Sequence, residues 1–470
     1  PIGDRIGGFI RPGFNPLLVT GAPTIGTASP GGALAVSITF TAPSDVGGGA
    51  ITSYEAVATD TVSAASFVTT GTSSPITVTG LTSGRSYTVT VTAINAYGPS
   101  GMSAASNSSA EGVLAELWTW GAGANGVTGH GNTTDLSSPV QVGTLTTWKL
   151  VAVGYYTMAA IQLDGTLWAW GSGSSGKLGD GSTTNRSSPV QIGALTDWLK
   201  LSVSNNSTLA IKTDSTLWSW GSGSQGQLGL GNTTNYSSPK QVGALTTWLA
   251  VTGGYNFSGA VKTDGTLWTW GYALQGQLGH GNTTALSSPV QVGALTDWLK
   301  VASGNQHMLA IKTDGTLWAW GVNTYGQLGD SSTTSRSSPV QVGALTDWLT
   351  VSGSYRATFA TKTDGTIWAF GRGHGGTLGT GNTSTQSSPV QIGALTTWDA
   401  GQSLLGGHGG GGDTHTDGTL WMWGQNWKGQ LGQGNLTEYS SPKQVGALTT
   451  WISISLAGAG GPQTAALKEA

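Results

Sequence analysis

The sequence predicts an all-β chain in which a small β-sandwich precedes a seven-bladed β-propeller. Three observations carry this reading. A motif LWxWG recurs seven times, once as the variant IWAFG, a second motif SSP[VK]Q[VI]G[AT]LTxW recurs seven times in step with it, and the first quarter of the chain has a different, alternating strand pattern.

The first Trp of LWxWG stands at Trp118, Trp168, Trp218, Trp268, Trp318, Trp368 and Trp421, so the step is 50 residues except for the last, which is 53. The three extra residues fall in the Gly-rich stretch Gly406 to Gly412, where a loop has lengthened. The second motif ends at Trp148, Trp198, Trp248, Trp298, Trp348, Trp398 and Trp451. One unit reads as four short strands: Pro189–Ile192, Leu199–Val203, Leu209–Lys212, and Thr166–Trp170 with its alternating pattern. Asp-Gly pairs such as Asp164-Gly165, Asp264-Gly265 and Asp314-Gly315 suit a two-residue type I′ hairpin. Four antiparallel strands in about 50 residues describe a propeller blade rather than a helical repeat.

The two ends of this array are complementary. The first unit begins at Leu117-Trp118 without the AIKTDG strand that precedes every other, and the chain finishes on Thr464-Ala-Ala-Leu-Lys468, which is that strand. Pairing the two closes the ring and removes its exposed edges. The unit, best seen in WxWGxxxxGQLGxG and in Val301 to Gly315, resembles the regulator of chromosome condensation repeat. That resemblance covers about residues 113–470 and implies seven blades. Function does not follow from it, because members of the family do unrelated things.

Residues 22–110 have another grain. Val36–Thr41, Ser53–Ala58 and Tyr87–Ala93 alternate as half-buried strands, and Leu81-Thr-Ser-Gly-Arg-Ser-Tyr87 reads as a tyrosine corner. With Ala42-Pro43 and Ala96-Tyr-Gly-Pro-Ser100, this stretch resembles a fibronectin type III module, though without the usual core Trp. Residues 1–21 are too short to fold alone and read as an attachment arm whose Ile2, Ile6, Phe9, Ile10 and Phe14 need a partner surface. Pro1 is read as the natural start after removal of the initiator Met.

Composition excludes several functions. Charged residues make up 9% and the formal net charge is −3, so no clustered basic face is available for nucleic acid. Cys is absent, which removes disulfides, thiolate metal sites and a Cys nucleophile. No run is long and apolar enough to span a membrane. The solubilising groups are Ser, Thr, Asn, Gln and 77 glycines, a surface common in extended extracellular and virion β-proteins.

Catalytic chemistry finds no support, since nearly every Asp occupies a repeated position. The six His are scattered; only His408, Asp413 and His415 lie close together, and a mobile polar loop explains them better than a metal. No catalytic residue, metal or cofactor is assigned. Of the 21 Trp, 20 fill three equivalent slots per unit, Phe370 takes the one vacancy, and Trp427 lies in a loop. Sequons such as Asn132-Thr-Thr134 recur at one position and read as turns.

Positions that differ among the copies are the candidates for function. One set follows the VxxG strand: Tyr155 and Tyr156, Asn205 and Asn206, Tyr255 and Asn256, Gln306 and His307, Tyr355 and Arg356. A second follows WG: Ala124-Asn125, Ser174-Ser175, Tyr272, Asn323, Tyr325, Arg372, His374 and Asn426-Trp427. Ring closure gathers the first set on one rim, where Tyr, Asn, His and Arg form an adaptable recognition surface. The combined reading is a non-enzymatic virion protein. The arm docks on other structural proteins of a phage capsid or tail, and the rim is displayed toward a host glycan or protein. The alternative is a secreted bacterial surface or inhibitor protein that binds a protein through the same rim. A third possibility, an accessory module for sugar degradation, would bind glycan without cleaving it.

Overall fold

The computed structural model describes residues 18–31, 34–61, 63–82, 85–107, 109–110, 114–399, 405–407, 409–457 and 461–470. The arm residues Ile2, Ile6, Phe9, Ile10 and Phe14, and His408, lie outside the described residues. The chain divides into two compact units between Leu114 and Ala115. No helix among the described residues is long and apolar enough to cross a membrane.

The first unit is a sandwich of two antiparallel sheets. Thr24–Pro30, Ala35–Thr41 and Ile76–Thr79 form one; Ser66–Gly71, Ile51–Asp60, Ser86–Asn95 and Gly98–Pro99 form the other, with Ser109–Ala110 also on Ser86–Asn95. Alternation along each strand sends Val36, Ile38, Ala56, Ala58, Val89 and Val91 into a shared core. Phe40 and Tyr54 pack with ring centroids 4.7 Å apart in that core, supplying aromatic bulk where the sequence has no Trp. The tyrosine corner is present: the fully buried Tyr87 accepts a hydrogen bond at its hydroxyl from Thr82 N at 2.9 Å. Leu18 belongs to this unit, since its carbonyl accepts from Gly48 N and from Asn95 Nδ2, both at 2.8 Å.

The second unit is a ring of seven four-stranded sheets. Blade 2 runs from the channel outward as Trp148–Val153, Thr157–Gln162, Leu167–Gly171 and Arg186–Gln191, and blades 3 to 6 repeat it. Blade 7 comprises Leu405–Gly407, Gly410–Thr414, Leu420–Gly424 and Tyr439–Gln444. Blade 1 is composite: Ala115–Gly121 and Leu136–Gln141 come from the start of the unit, and Trp451–Leu456 and Gln463–Glu469 from its end. Thr464 pairs with Trp120 and Leu467 with Leu117, as the complementary ends predict. Successive inner strands touch all round, including those of blades 1 and 2.

The cores of this unit lie between blades. Leu167, Leu178 and Ile192 of blade 2 pack with Trp198, Ala210 and Trp220 of blade 3, and equivalent clusters fill the other six seams. The second Trp of LWxWG is fully buried there, and the Trp that ends the other motif is nearly so. Within a blade these rings meet edge to face, as Trp198 does with Trp218 and Trp220, each at 6.0 Å.

A hydrogen bond crosses most seams as well. Trp170 Nε1 donates to Val127 O at 2.8 Å, Trp320 Nε1 to Gln277 O at 3.0 Å, and Trp120 Nε1 to Gln430 O at 2.9 Å, which sews blade 1 to blade 7. Where Phe370 stands, its cross-strand neighbour Thr358 supplies the proton, donating from Oγ1 to Gln327 O at 2.7 Å. Thr208 does the same for Lys177 O at 2.8 Å, and Trp220 Nε1 is left without a partner. Blades 1 and 4 have both donors, whereas Met158 and Met308 leave the task to the indole alone.

The expectation for the Asp-Gly turns is corrected. Gln162 N donates to Thr166 O and Gly165 N to Gln162 O, both at 3.0 Å, which makes a three-residue loop ending in a left-handed Gly165 at φ 79°. Asp164 stays out of the left-handed region because its carboxylate is engaged. Oδ1 accepts from Thr166 N at 2.9 Å and Thr166 Oγ1 at 2.7 Å, and that hydroxyl accepts from Trp168 Nε1 at 3.0 Å. The sequence Asp-Gly-Thr-Leu-Trp is therefore one connected device. The sequon asparagines behave as the turn reading expects: Asn132 Oδ1 accepts from Thr134 N and Asn232 Oδ1 from Thr234 N, each at 2.9 Å.

Candidate binding face of the propeller

Both variable sets occupy the same end of the ring. The loop after the inner strand and the segment after WG are joined in each of blades 2 to 6 by one backbone bond, such as Ser172 N to Tyr156 O at 2.7 Å and Arg372 N to Arg356 O at 2.9 Å. The fold thus carries two loops per blade side by side.

The segment after WG adopts one of two forms according to a single residue. Where the GQLG motif supplies Gln, its Oε1 accepts the backbone N–H two residues earlier, as Gln227 does from Gln225 and Gln327 from Tyr325, both at 2.8 Å. Where Val127, Lys177 or Thr377 stands instead, a 3₁₀ turn forms at Ala124–Gly126, Ser174–Gly176 or His374–Gly376. The buried Lys177 ammonium bridges Tyr155 O at 2.9 Å and Asn205 O at 3.0 Å, and burial pushes its pKa down to about 8.

The predicted rim residues divide. Tyr155, Tyr255 and Trp427 are exposed, and Tyr156, Asn206, Asn256, Gln306, Tyr355 and Arg356 are partly so. Asn205 is buried. His307 is not a rim residue: the pair equivalent to Tyr155-Tyr156 is Asn305-Gln306, and His307 starts the next strand, in register with Gly321. It is fully buried, with Nε2 2.9 Å from Thr358 Oγ1, and desolvation pushes its pKa down to about 3. Asn323 and Asn426 of the second set are buried braces; Asn323 Oδ1 accepts from Leu328 N and Asn426 Oδ1 from Leu431 N, each at 2.9 Å.

Three sectors of the face differ in chemistry. Across blades 7, 1 and 2, Lys428 Nζ pairs with Asp135 Oδ2 at 2.7 Å beside Trp427, Tyr155 and Tyr156. Across blades 3 and 4, Asn206 Nδ2 donates to Asn256 Oδ1 at 2.9 Å. Across blades 5 to 7, Arg356 stacks on Tyr325 and Tyr355, 4.9 and 4.8 Å from their centroids, and its Nη1 donates to Tyr325 Oη at 3.0 Å. Arg372 lies 5.4 Å from the centroid of the same Tyr325 ring, and His374 Nδ1 accepts from Gln425 Nε2 at 3.0 Å. Tyr355, Arg356, Arg372, His374 and Gln425 line a small cleft of about 30 Å³ between blades 6 and 7, with Tyr325 of blade 5 behind the two guanidinium groups.

The Gly-rich stretch is not where the extra residues lie, a correction to the sequence reading: Gly406 pairs with Gly411 and Gly410 with Gly424 as Gly353 does with Thr358 and Ala357 with Gly371 in blade 6, so the three additional residues fall between Trp398 and Leu405. Asp413 takes the place of a core Ala opposite Trp421, and burial raises its carboxyl well above the usual range. His415 stands where other blades place a Lys over two indoles, stacked on Trp421 at 5.2 Å. Among the described residues no three ligands converge as a metal site.

A family model described as the RCC1-like domain matches residues 200–466, more than half of the chain. Models of the regulator of chromosome condensation (RCC1) repeat match 115–161 and 164–211, and a fibronectin type III domain model matches 21–109. No curated protein matches the chain. Among solved structures, human WBSCR16 is 19% identical with a TM-score of 0.66, covering 76% of this chain and 99% of that one. Prp20p from Saccharomyces cerevisiae is 18% identical with a TM-score of 0.66, covering 76% and 92%. The same yeast protein in a structure with Kap60 is 18% identical with a TM-score of 0.67, covering 76% and 89%. At these identities the likeness is one of fold. By its repeats, its closed ring and the family match, the chain belongs to the RCC1-like domain family, with a fibronectin type III domain ahead of the propeller.

Proposed function

We propose that the protein is a non-enzymatic binding protein of a virion, anchored through its N-terminal arm and binding a host surface through the variable end of the propeller. The observation that supports it most is the distribution of differences among the repeats. Seams, turns and outer strands repeat almost unchanged, while Tyr155, Tyr255, Tyr325, Arg356, Arg372, His374 and Trp427 all fall on one end of the ring. A face free to vary on a fixed scaffold is where recognition is built. Prp20p, of the same fold, has described binding to Gsp1p and histones, which supports a binding role for such a propeller. The neutral Ser, Thr and Gly surface and the apolar arm support the virion setting.

The test removes residues 1–17 and follows the protein through particle purification from its native source. Incorporation of the intact chain and loss of the shortened, still folded chain is the expected result. Continued incorporation without the arm, or an intact protein found only as a free monomer, overturns the virion reading and favours the secreted binding protein.

A further inference from the structure

The cleft between blades 6 and 7 holds two guanidinium groups without a counter-charge among the described residues. Among the described residues neither Arg356 nor Arg372 has a carboxylate within ion-pair distance, whereas Arg85, Arg186 and Arg336 each have one. In a chain with only 9% charged residues, two adjacent unpaired cations require explanation.

The fold does not need them. The position of Arg356 is filled by Tyr156, Asn206, Asn256 and Gln306 in blades 2 to 5, and that of Arg372 by Ser172, Ser222, Tyr272 and Val322. Arg356 is nevertheless held rigidly, clamped between Tyr325 and Tyr355 and hydrogen-bonded to Tyr325 Oη at 3.0 Å. Arg372 is tied by its own N–H to Arg356 O at 2.9 Å and rests against Tyr325, leaving its fork of donors unengaged. A planar fork so placed matches a carboxylate in two parallel hydrogen bonds.

The surroundings narrow the ligand. Besides the two guanidinium groups, the cleft presents further hydrogen-bonding groups on one side: the His374 imidazole and the Gln425 amide, which bond to each other at 3.0 Å. A lone acidic side chain would satisfy the guanidiniums and leave these untouched. A sugar acid carries hydroxyls beside its carboxylate and engages both. The cleft is small, about 30 Å³, so it seats the carboxylate while the ring lies across its open mouth.

We propose that this cleft binds a carboxylate-bearing sugar residue, with Arg372 and Arg356 on the carboxylate and Gln425 and His374 on the ring hydroxyls. The proposal rests on the reading of this end of the propeller as the binding face and names its ligand class.

The experiment measures binding of methyl β-glucuronide to the full chain by ligand-observed NMR, with methyl β-glucoside and N-acetylglutamate amide as comparators. The glucuronide is expected to bind in preference to both, and more weakly as salt rises. Arg372→Gln, which leaves the Arg356–Tyr325 contact in place, should weaken it at least about tenfold with an unchanged melting temperature. Lys428→Gln, in another sector, should leave it unaltered. Glucuronide binding no tighter than the glucoside, or unaffected by Arg372→Gln, overturns the proposal. Tighter binding of the glutamate derivative overturns the sugar assignment. If the proposal fails in either way while the intact protein still adheres to host cells, the general binding reading stands and only its ligand class falls.

Discussion

Lys468 Nζ lies 2.7 Å from Glu116 Oε2, an ion pair between residues 352 positions apart. The same carboxylate oxygen accepts from Trp118 Nε1 at 2.9 Å. In the other blades that indole bonds to the Thr of an Asp-Gly-Thr turn, Asp-Ser-Thr in blade 3, which blade 1 lacks because its strands come from the two ends of the unit. Glu116 stands in for the missing turn. Burial opposes its ionisation, but hydrogen bonds from Lys468 and Trp118 and the nearby ammonium outweigh this and hold its pKa below the ordinary value.

Deleting Thr464 to Ala470 should therefore open the ring. The loss takes a whole strand from blade 1 and bares the edge of Ala115–Gly121. A single cooperative thermal transition in the intact propeller should give way to broad or multiple transitions in calorimetry. A truncated chain that melts as one unit at the original temperature contradicts the closure described above.

Trp220→Ala should cost about 3–5 kcal/mol, the range for large aromatic truncations in a packed core, because Trp220 is fully buried in the seam between blades 2 and 3. Trp427→Ala should change stability little, since Trp427 is 45% exposed. Urea denaturation of both variants makes the comparison, and equal losses would contradict it.

Ser215→Gly should stabilise the protein. Ser215 holds a left-handed φ of 62° at the turn position that is Gly165, Gly265, Gly315, Gly365 and Gly418 elsewhere. Relief of that strain is expected to contribute about 1 kcal/mol, less what glycine adds to the entropy of the unfolded chain. The denaturation midpoint should rise, and a fall would show that Ser215 makes compensating contacts.

His307 should make the propeller acid-sensitive. Its pKa is lowered from 6.5 to about 3, so its contribution is intact above 6.5 and is lost as pH falls toward 3. The slope is about 1.4 kcal/mol per pH unit for one such group. His307→Phe, which copies Phe257 in the neighbouring blade, should reduce the loss of stability between pH 7 and pH 5. An unchanged difference between the two pH values would show that other groups govern it.

Periodicity made the ring legible, because each blade is the same solution to the same packing problem and the two chain ends lack complementary strands. Trp slots were equally plain, since Phe370 shows that bulk is what the seam requires. The Asp-Gly turns were placed correctly but given the wrong geometry: the pattern marks a left-handed Gly and does not reveal that Asp164 is engaged by Thr166 and Trp168. His307 was misplaced by one position, and in a β-strand one position is the difference between core and rim. The cleft was legible only in part: Tyr325, Arg356, Arg372 and His374 stood among the variable positions, but nothing in the sequence joined them to one another or to Gln425. Tyr325, Arg356, Arg372 and Gln425 come from three blades, and only the curvature of the closed ring brings them together.

The alternation of donors at the seams sets a rule for how these repeats can change. A carbonyl served by both an indole and a hydroxyl, as Gln430 and Gln227 are, tolerates the loss of either one. One served by an indole alone, beside Met158 or Met308, does not. The exchange of Trp for Phe seen at position 370 is thus open to blades 1, 3 and 4 and closed to blades 2 and 5, unless a hydroxyl arrives first on the neighbouring strand. The order in which substitutions accumulate is constrained even where their sum is neutral, so the history of the repeat array is written partly in which residue stands opposite each aromatic ring.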